Sequence, residues 1–198
     1  MRRRAAVPNA VTLGLVLLLL PAASPPPEDQ RMVRGGRAGF VWDGVEGCWV
    51  WAGGIPAGLG PVTATWVGLC PDGPAEGKGR SEIRWREGER ERAMVHEGWL
   101  RRGKAEGPGR LTHLEDGQVI AVEEGEFRDD FFLRGRLELR RSGAVYEGEW
   151  RRNQPHGPGR LTVRGEVLDG VWENGCLRVK DGWVAFTRPA EDCEGRPT

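Results

Sequence analysis

Tyrosine, histidine and net charge are what this 198-residue chain has least of. It has one Tyr and three His, and its 29 basic side chains balance 29 acidic ones. The histidines, His96, His113 and His156, stand beside no Ser or Cys in a nucleophile pattern. There is no C-x-x-C, and no His lies within a few residues of a Cys, so no metal-ligand spacing is present. No glycine-rich stretch ends in Gly-Lys-Ser/Thr before a helix, which excludes a phosphate-cradling loop. With no basic excess, nucleic acid is not an expected partner. G-X-Y triplets are missing, so the chain is not collagen-like. The sequence therefore predicts no catalytic residue, no cofactor and no metal.

Glycine and tryptophan are abundant. The chain holds 31 Gly, 14 Pro and 9 Trp. A Gly inside a helix costs about 1 kcal/mol relative to Ala, so this load argues against a helix bundle. Nine tryptophans are too much apolar surface for a disordered chain.

The first 24 residues have the layout of a secretory signal. Arg2, Arg3 and Arg4 precede a short apolar core, Val11 to Leu20, and then Pro21, Ala22, Ala23 and Ser24. That core falls short of the roughly 20 residues a membrane-spanning helix needs. Pro25 would hinder cleavage after Ser24, so an uncleaved inner-membrane anchor is the alternative. Without residues 1–24, 26 basic groups face 29 acidic ones. The expected location is periplasmic or secreted. All four cysteines, Cys48, Cys70, Cys176 and Cys193, lie in the exported part and read as disulfides. Three connectivities are possible. The sequential one is favoured, because each pair brackets one end of the chain and closes a loop of roughly 20 residues.

An internal repeat accounts for the glycine. EGWLRRGKAEGPGRLT at 97–112 matches EGEWRRNQPHGPGRLT at 147–162, and the shared block GPGRLT recurs 50 residues apart. Leading glycines fall at 68, 98, 125, 148 and 170, and second glycines at 79, 109, 135 and 159. Gly47 to Gly60 reads as a divergent further copy. Each unit alternates, turns and returns, as in Val145 to Trp150, the polar stretch Arg151 to Pro158, and Gly159 to Val163. This predicts one β-hairpin per repeat and an all-β, elongated, open antiparallel meander of stacked hairpins. Glycine leaves room on the strand for a neighbouring ring. The aromatics Trp66, Trp99, Phe127, Trp150 and Trp172 are expected to fill that room.

Tyr146-x-Gly148-x-Trp150 followed by His156-Gly157-x-Gly159 resembles the MORN repeat. The resemblance covers roughly residues 45–176 and is strongest over 146–172. It implies an open, twisted sheet and a role in membrane contact or protein–protein interaction, here in an exported, disulfide-containing bacterial-type member. Repeat-structural roles go to Gly68, Gly98, Trp99, Gly109, Gly125, Phe127, Tyr146, Gly148, Trp150, His156, Gly157, Gly159, Gly170 and Trp172. The expected organisation is a signal peptide over 1–24, a flexible Pro/Gly-rich linker over 25–41, a repeat domain over 42–176, and a cap and tail over 177–198.

Charges recur in phase too. Arg80, Arg110, Arg136 and Arg160 follow the second glycines, while Glu97, Glu124, Glu147 and Asp169 precede the leading ones. Cross-strand ion pairing is the expected use of these arginines. Arg101, Arg102, Arg128, Arg151 and Arg152 follow the aromatic positions. They read either as solvated turn residues or as a binding strip for an anionic membrane surface or an envelope polymer. Glu123-Glu124 and Asp129-Asp130 read as solvated surface, because neighbours on a strand point to opposite faces. Whether the aromatic row is buried over the glycines or exposed as a binding face stays open. The expected function is that of a monomeric, non-catalytic module binding a protein, polymer or membrane in the envelope. The alternatives are a purely structural envelope protein, or a hydrolase whose carboxylates meet only in three dimensions.

Overall fold

The computed structural model describes residues 24–33, 35–44 and 47–193. The expected signal segment, apart from Ser24, and the last five residues of the tail lie outside them. A two-stranded sheet pairs β1 (Gly39–Trp42) with β2 (Trp49–Ala52). The main sheet begins with β3 (Thr63–Leu69), β4 (Glu76–Glu87), β5 (Arg90–Arg101), β6 (Lys104–Glu115) and β7 (Gln118–Arg128). It continues with β8 (Phe131–Leu139), β9 (Ala144–Arg151), β10 (Gln154–Val163), β11 (Glu166–Glu173), β12 (Cys176–Val179) and β13 (Gly182–Ala185). These eleven strands lie side by side in chain order, each antiparallel to the next, and the sheet does not close. Among the described residues there is no α-helix, only the 3-10 turns Glu28–Gln30 and Ala190–Asp192.

Turn chemistry sets the meander. Arg102-Gly103, Asp116-Gly117, Asp129-Asp130, Arg152-Asn153, Arg164-Gly165 and Asn174-Gly175 have both residues at positive φ. A two-residue turn of that kind matches the right-handed twist of the strands it joins. The expected long turn from Arg151 to Pro158 is therefore only Arg152-Asn153. Residues 154–158 already belong to β10, and a register shift between Pro155 and Gly159 absorbs the difference.

Register explains the glycine. Gly79, Gly98, Gly109, Gly125, Gly135, Gly148, Gly159 and Gly170 are successive cross-strand partners over eight strands. One residue away, on the outer face, runs a second line: Arg80, Glu97, Arg110, Glu124, Arg136, Glu147, Arg160 and Asp169. Its signs alternate strictly. Ion pairs close along it at Arg110–Glu124 (3.5 Å), Arg136–Glu147 (3.3 Å) and Arg160–Asp169 (2.6 Å). All are exposed, so each contributes at most about 1 kcal/mol.

The inner face carries the core. Tyr146 lies over Gly148 and Gly159, where a Cβ would run into its ring. From His96 the rings continue through Phe127, Phe132, Trp150, Tyr146 and Trp172 to Phe186, with centroids 5.0–6.4 Å apart. The aromatic row is thus packed over the glycines. Trp99 is the exception. It sits on the outer face, 50 % exposed, and Leu100 takes the inner seat that Trp150 holds in its own hairpin. The reason is phase: Trp99 follows its leading glycine by one residue, Trp150 by two.

Both ends extend the fold beyond the expected boundaries. Phe40 and Val41, placed at the end of a flexible linker, are buried in β1, and Trp49 Nε1 donates to the Ser24 carbonyl (2.9 Å). The segment from Gly47 to Gly60 does not form a sheet hairpin of the repeat kind. It supplies β2, whose Trp49 and Trp51 amides donate to the carbonyls of Gly73 and Gly103. Past residue 176, β12 and β13 continue the sheet. Disulfides join Cys48 to Cys70 and Cys176 to Cys193, each with Cα atoms 5.7 Å apart.

Candidate functional site

A cavity of about 640 Å³ lies where β2 and the following Gly53-Gly54 pass over the inner face of β4 to β7. The floor comes from register. Ser81, His96, Leu111 and Glu123 are successive cross-strand partners, and Ile83, Met94 and His113 form the next row. The turn end of the sheet supplies Lys104, Asp129 and Asp130, and Trp51 closes the roof.

His96 is the least satisfied group there. It is 6 % exposed, and neither ring nitrogen has a hydrogen-bond partner. Its position in the hairpin is that of Trp66 and Tyr146, two residues before the leading glycine. Those two larger rings donate to a carbonyl three residues on, Trp66 Nε1 to Leu69 (3.0 Å) and Tyr146 Oη to Glu149 (3.3 Å). The imidazole is shorter than either ring and makes no such bond. Burial pushes its pKa down to about 4, so it is neutral near pH 7 and keeps a lone pair free. Trp85 Nε1, on the same lining, is also buried without a partner.

The carboxylates define the cavity's electrostatics. Asp130 is held in the left-handed turn conformation (φ +70), its amide bonded to the Ala105 carbonyl at 3.0 Å. Burial pushes its carboxyl up to about 7, and Asp129 and Glu123 push the same way. The Ala105 amide and Lys104 oppose them. Glu123 bonds to His113 Nε2 at 3.1 Å. Lys104 bonds to Asp129 at 2.8 Å and lies over the Trp51 ring at 4.7 Å.

Glu123 and Asp130 thus correct the reading of solvated acid pairs. Neighbours do diverge, since Glu124 is on the outer line while Glu123 faces inward. The convergence is between one member of each pair, brought together by the hairpin of β7 and β8. Neighbour-by-neighbour reading missed it. The signal was available in the repeat: Glu123 stands two residues before Gly125, an inner-face position.

The other expected site residues are more dispersed. Arg101, Arg102, Arg128, Arg151 and Arg152 are all exposed, at or next to the turns that also bring Gly103, Asp129 and Asn153 to the cavity. Arg101 pairs with Glu106 (3.6 Å), Arg151 bonds to Asn174 (3.1 Å), and none of the five lines the cavity. His156 Nδ1 accepts from the Asn174 amide at 3.3 Å, a local turn contact. Among the described residues no group of three or more His, Cys, Asp or Glu is placed to hold a metal ion. No helix among them is long and apolar enough to cross a membrane.

No curated protein matches the chain in sequence. Residues 146–162, the hairpin of β9 and β10 with Tyr146 seated over its paired glycines, match the MORN repeat. The glycine line carries the same hairpin plan across eight strands, and the chain contains a MORN repeat at residues 146–162.

Proposed function

We propose that this protein is an exported, non-catalytic binding module of the cell envelope, acting as a monomer, and that it engages its partner through the inner-face cavity. The observation that carries the reading is His96. A buried imidazole with both nitrogens unpartnered loses hydrogen bonds worth about 1–3 kcal/mol, a cost that a bound group would offset. The cavity's size is that of an ordinary small-molecule site. Two disulfides, one at each end, support an oxidising compartment. The exposed turn arginines offer a second contact for an anionic membrane or envelope polymer.

Native mass spectrometry of protein recovered from cell envelopes tests the reading. The expected result is a non-covalent adduct in wild type that is absent when His96→Tyr fills the cavity. A bare polypeptide mass in both, with all protein recovered from the cytosol, contradicts it.

A second reading, a carboxylate-based hydrolase, has one observation in its favour: Glu123 and Asp130 line one concave cavity. Retaining and inverting glycosidases use such pairs. Turnover of nitrophenyl glycosides that Asp130→Asn abolishes would establish it, and no turnover by wild type would remove it.

A further inference from the structure

The charged groups lining the cavity are mostly carboxylates, beside two unpartnered N–H donors, Trp85 Nε1 and one nitrogen of the neutral His96 ring. The Glu123 and Asp130 carboxylates face it, and the neutral His96 ring has a lone pair that no protein group uses. Asp129 adds a third carboxylate at the rim. Against these stand His113, tied to Glu123, and Lys104, tied to Asp129. Among the described residues no arginine lines it. The remaining walls are apolar and aromatic, chiefly Trp51, Trp85, Phe127 and Phe132. One cation already uses them, because Lys104 Nζ lies over the Trp51 ring.

We infer that the cavity takes an organic cation, an ammonium group on an apolar body, with the ammonium donating to Asp130, Glu123 and His96 and the body against the aromatic walls. An anion would meet three carboxylates and no free positive group. A neutral apolar molecule would leave both His96 ring nitrogens unpartnered. An ammonium supplies donors to all three acceptors and is attracted to ring faces. Ionising Asp130 in the complex releases a proton near neutral pH, so the amine binds more tightly as pH rises through about 7. The groups facing Asp130 in this titration are Lys104, Asp129 and Glu123. This inference rests on the cavity being a binding site, and the test separates the two.

Isothermal titration of the intact, disulfide-bonded protein uses three probes of one shape: 2-phenylethylamine, 2-phenylethanol and phenylacetate. The amine is expected to bind at least about tenfold more tightly than the alcohol, with phenylacetate weakest. Asp130→Asn and Glu123→Gln, each checked for an unchanged circular dichroism spectrum, are each expected to lower amine affinity by about tenfold and leave the alcohol unaffected. Equal binding of amine and alcohol overturns the charge preference but leaves a binding cavity. Binding of none of the three, at concentrations reaching several millimolar, overturns both readings. Amine binding that survives both substitutions places the ligand elsewhere and overturns the inference.

Discussion

His96 and Tyr146 occupy the same seat in two different hairpins. Each stands two residues before its leading glycine and pairs across the strand with a leucine, Leu111 for His96 and Leu161 for Tyr146. Each ring also lies over two glycines, Gly98 and Gly109 or Gly148 and Gly159. Tyr146 is fully buried and bonded, whereas His96 is buried and unbonded. The repeat therefore sets a structural position, and one hairpin has given it a different use.

His96→Tyr is expected to restore the structural use. The phenol reaches the Trp99 carbonyl, as Tyr146 reaches that of Glu149, and adds about 1 kcal/mol of stability near pH 7. The pH profile changes as well. The folded-state pKa of His96 is lowered from 6.5 to about 4, so its contribution is fully present above about 6.5 and is lost as pH falls towards 4. Urea titrations across that window will show a shallower acid loss in the variant. An identical acid profile would count against the buried neutral His96.

Gly159→Ala tests the seat from the other side. Its Cβ would run into the Tyr146 ring, which Trp150, Trp172 and Phe186 hold in place. The expected loss is about 1–3 kcal/mol, the range for overpacking a core that cannot shift. Gly60→Ala is the control, because nothing lies within 4 Å of its Cβ position. Chemical denaturation of both variants checks the contrast, and equal midpoints would refute it.

Asp130→Asn should stabilise the protein in a pH-dependent way. The folded-state pKa of Asp130 is raised from 3.8 to about 7, so the native state holds a proton that the unfolded state releases. Its contribution is greatest below about 3.8 and declines as pH rises to about 7. Asn keeps an acceptor for the Ala105 amide and tolerates the left-handed turn. The melting temperature of the variant should exceed wild type by a few degrees near pH 8 and converge with it in acid. A lower melting temperature at both pH values would mean that the ionised carboxylate is favourable where it lies.

Replacing Cys176 and Cys193 together by Ala should release the C-terminal cap. Phe186, inside that 17-residue span, stacks on Tyr146 at 5.8 Å and bonds through its amide to Gly175. Chain entropy puts the loss at about 3 kcal/mol, or roughly 6–12 °C in melting temperature. Near-ultraviolet circular dichroism should lose the Tyr146–Trp172 signal together with the drop. An unchanged melting curve would show that β12 and β13 hold without the crosslink.

The sheet was legible because its grammar is local. Glycine spacing, turn residues and alternating charges all act between adjacent strands, and Glu147 and Arg160 face each other as their spacing implies. The site was not legible, because it depends on relationships between hairpins. Glu123 and Asp130 reach one cavity from a strand and a turn, and Trp51 on β2 lines that cavity together with residues of β4 to β7. Nothing in the run from Pro25 to Val41 announces that Phe40 is buried and that β1 holds β2 in place. Trp99 misled by type, because tryptophan outweighed a one-residue difference in phase.

Amide chemical-shift mapping with 2-phenylethylamine tests the binding cavity most directly. Saturable shifts should cluster at Gly53-Gly54, around His96, and over Gly103 to Ala105 and Asp129 to Phe132, the segments that line it. Shifts confined to the turn arginines and the outer charged line, or none up to several millimolar ligand, would contradict the account.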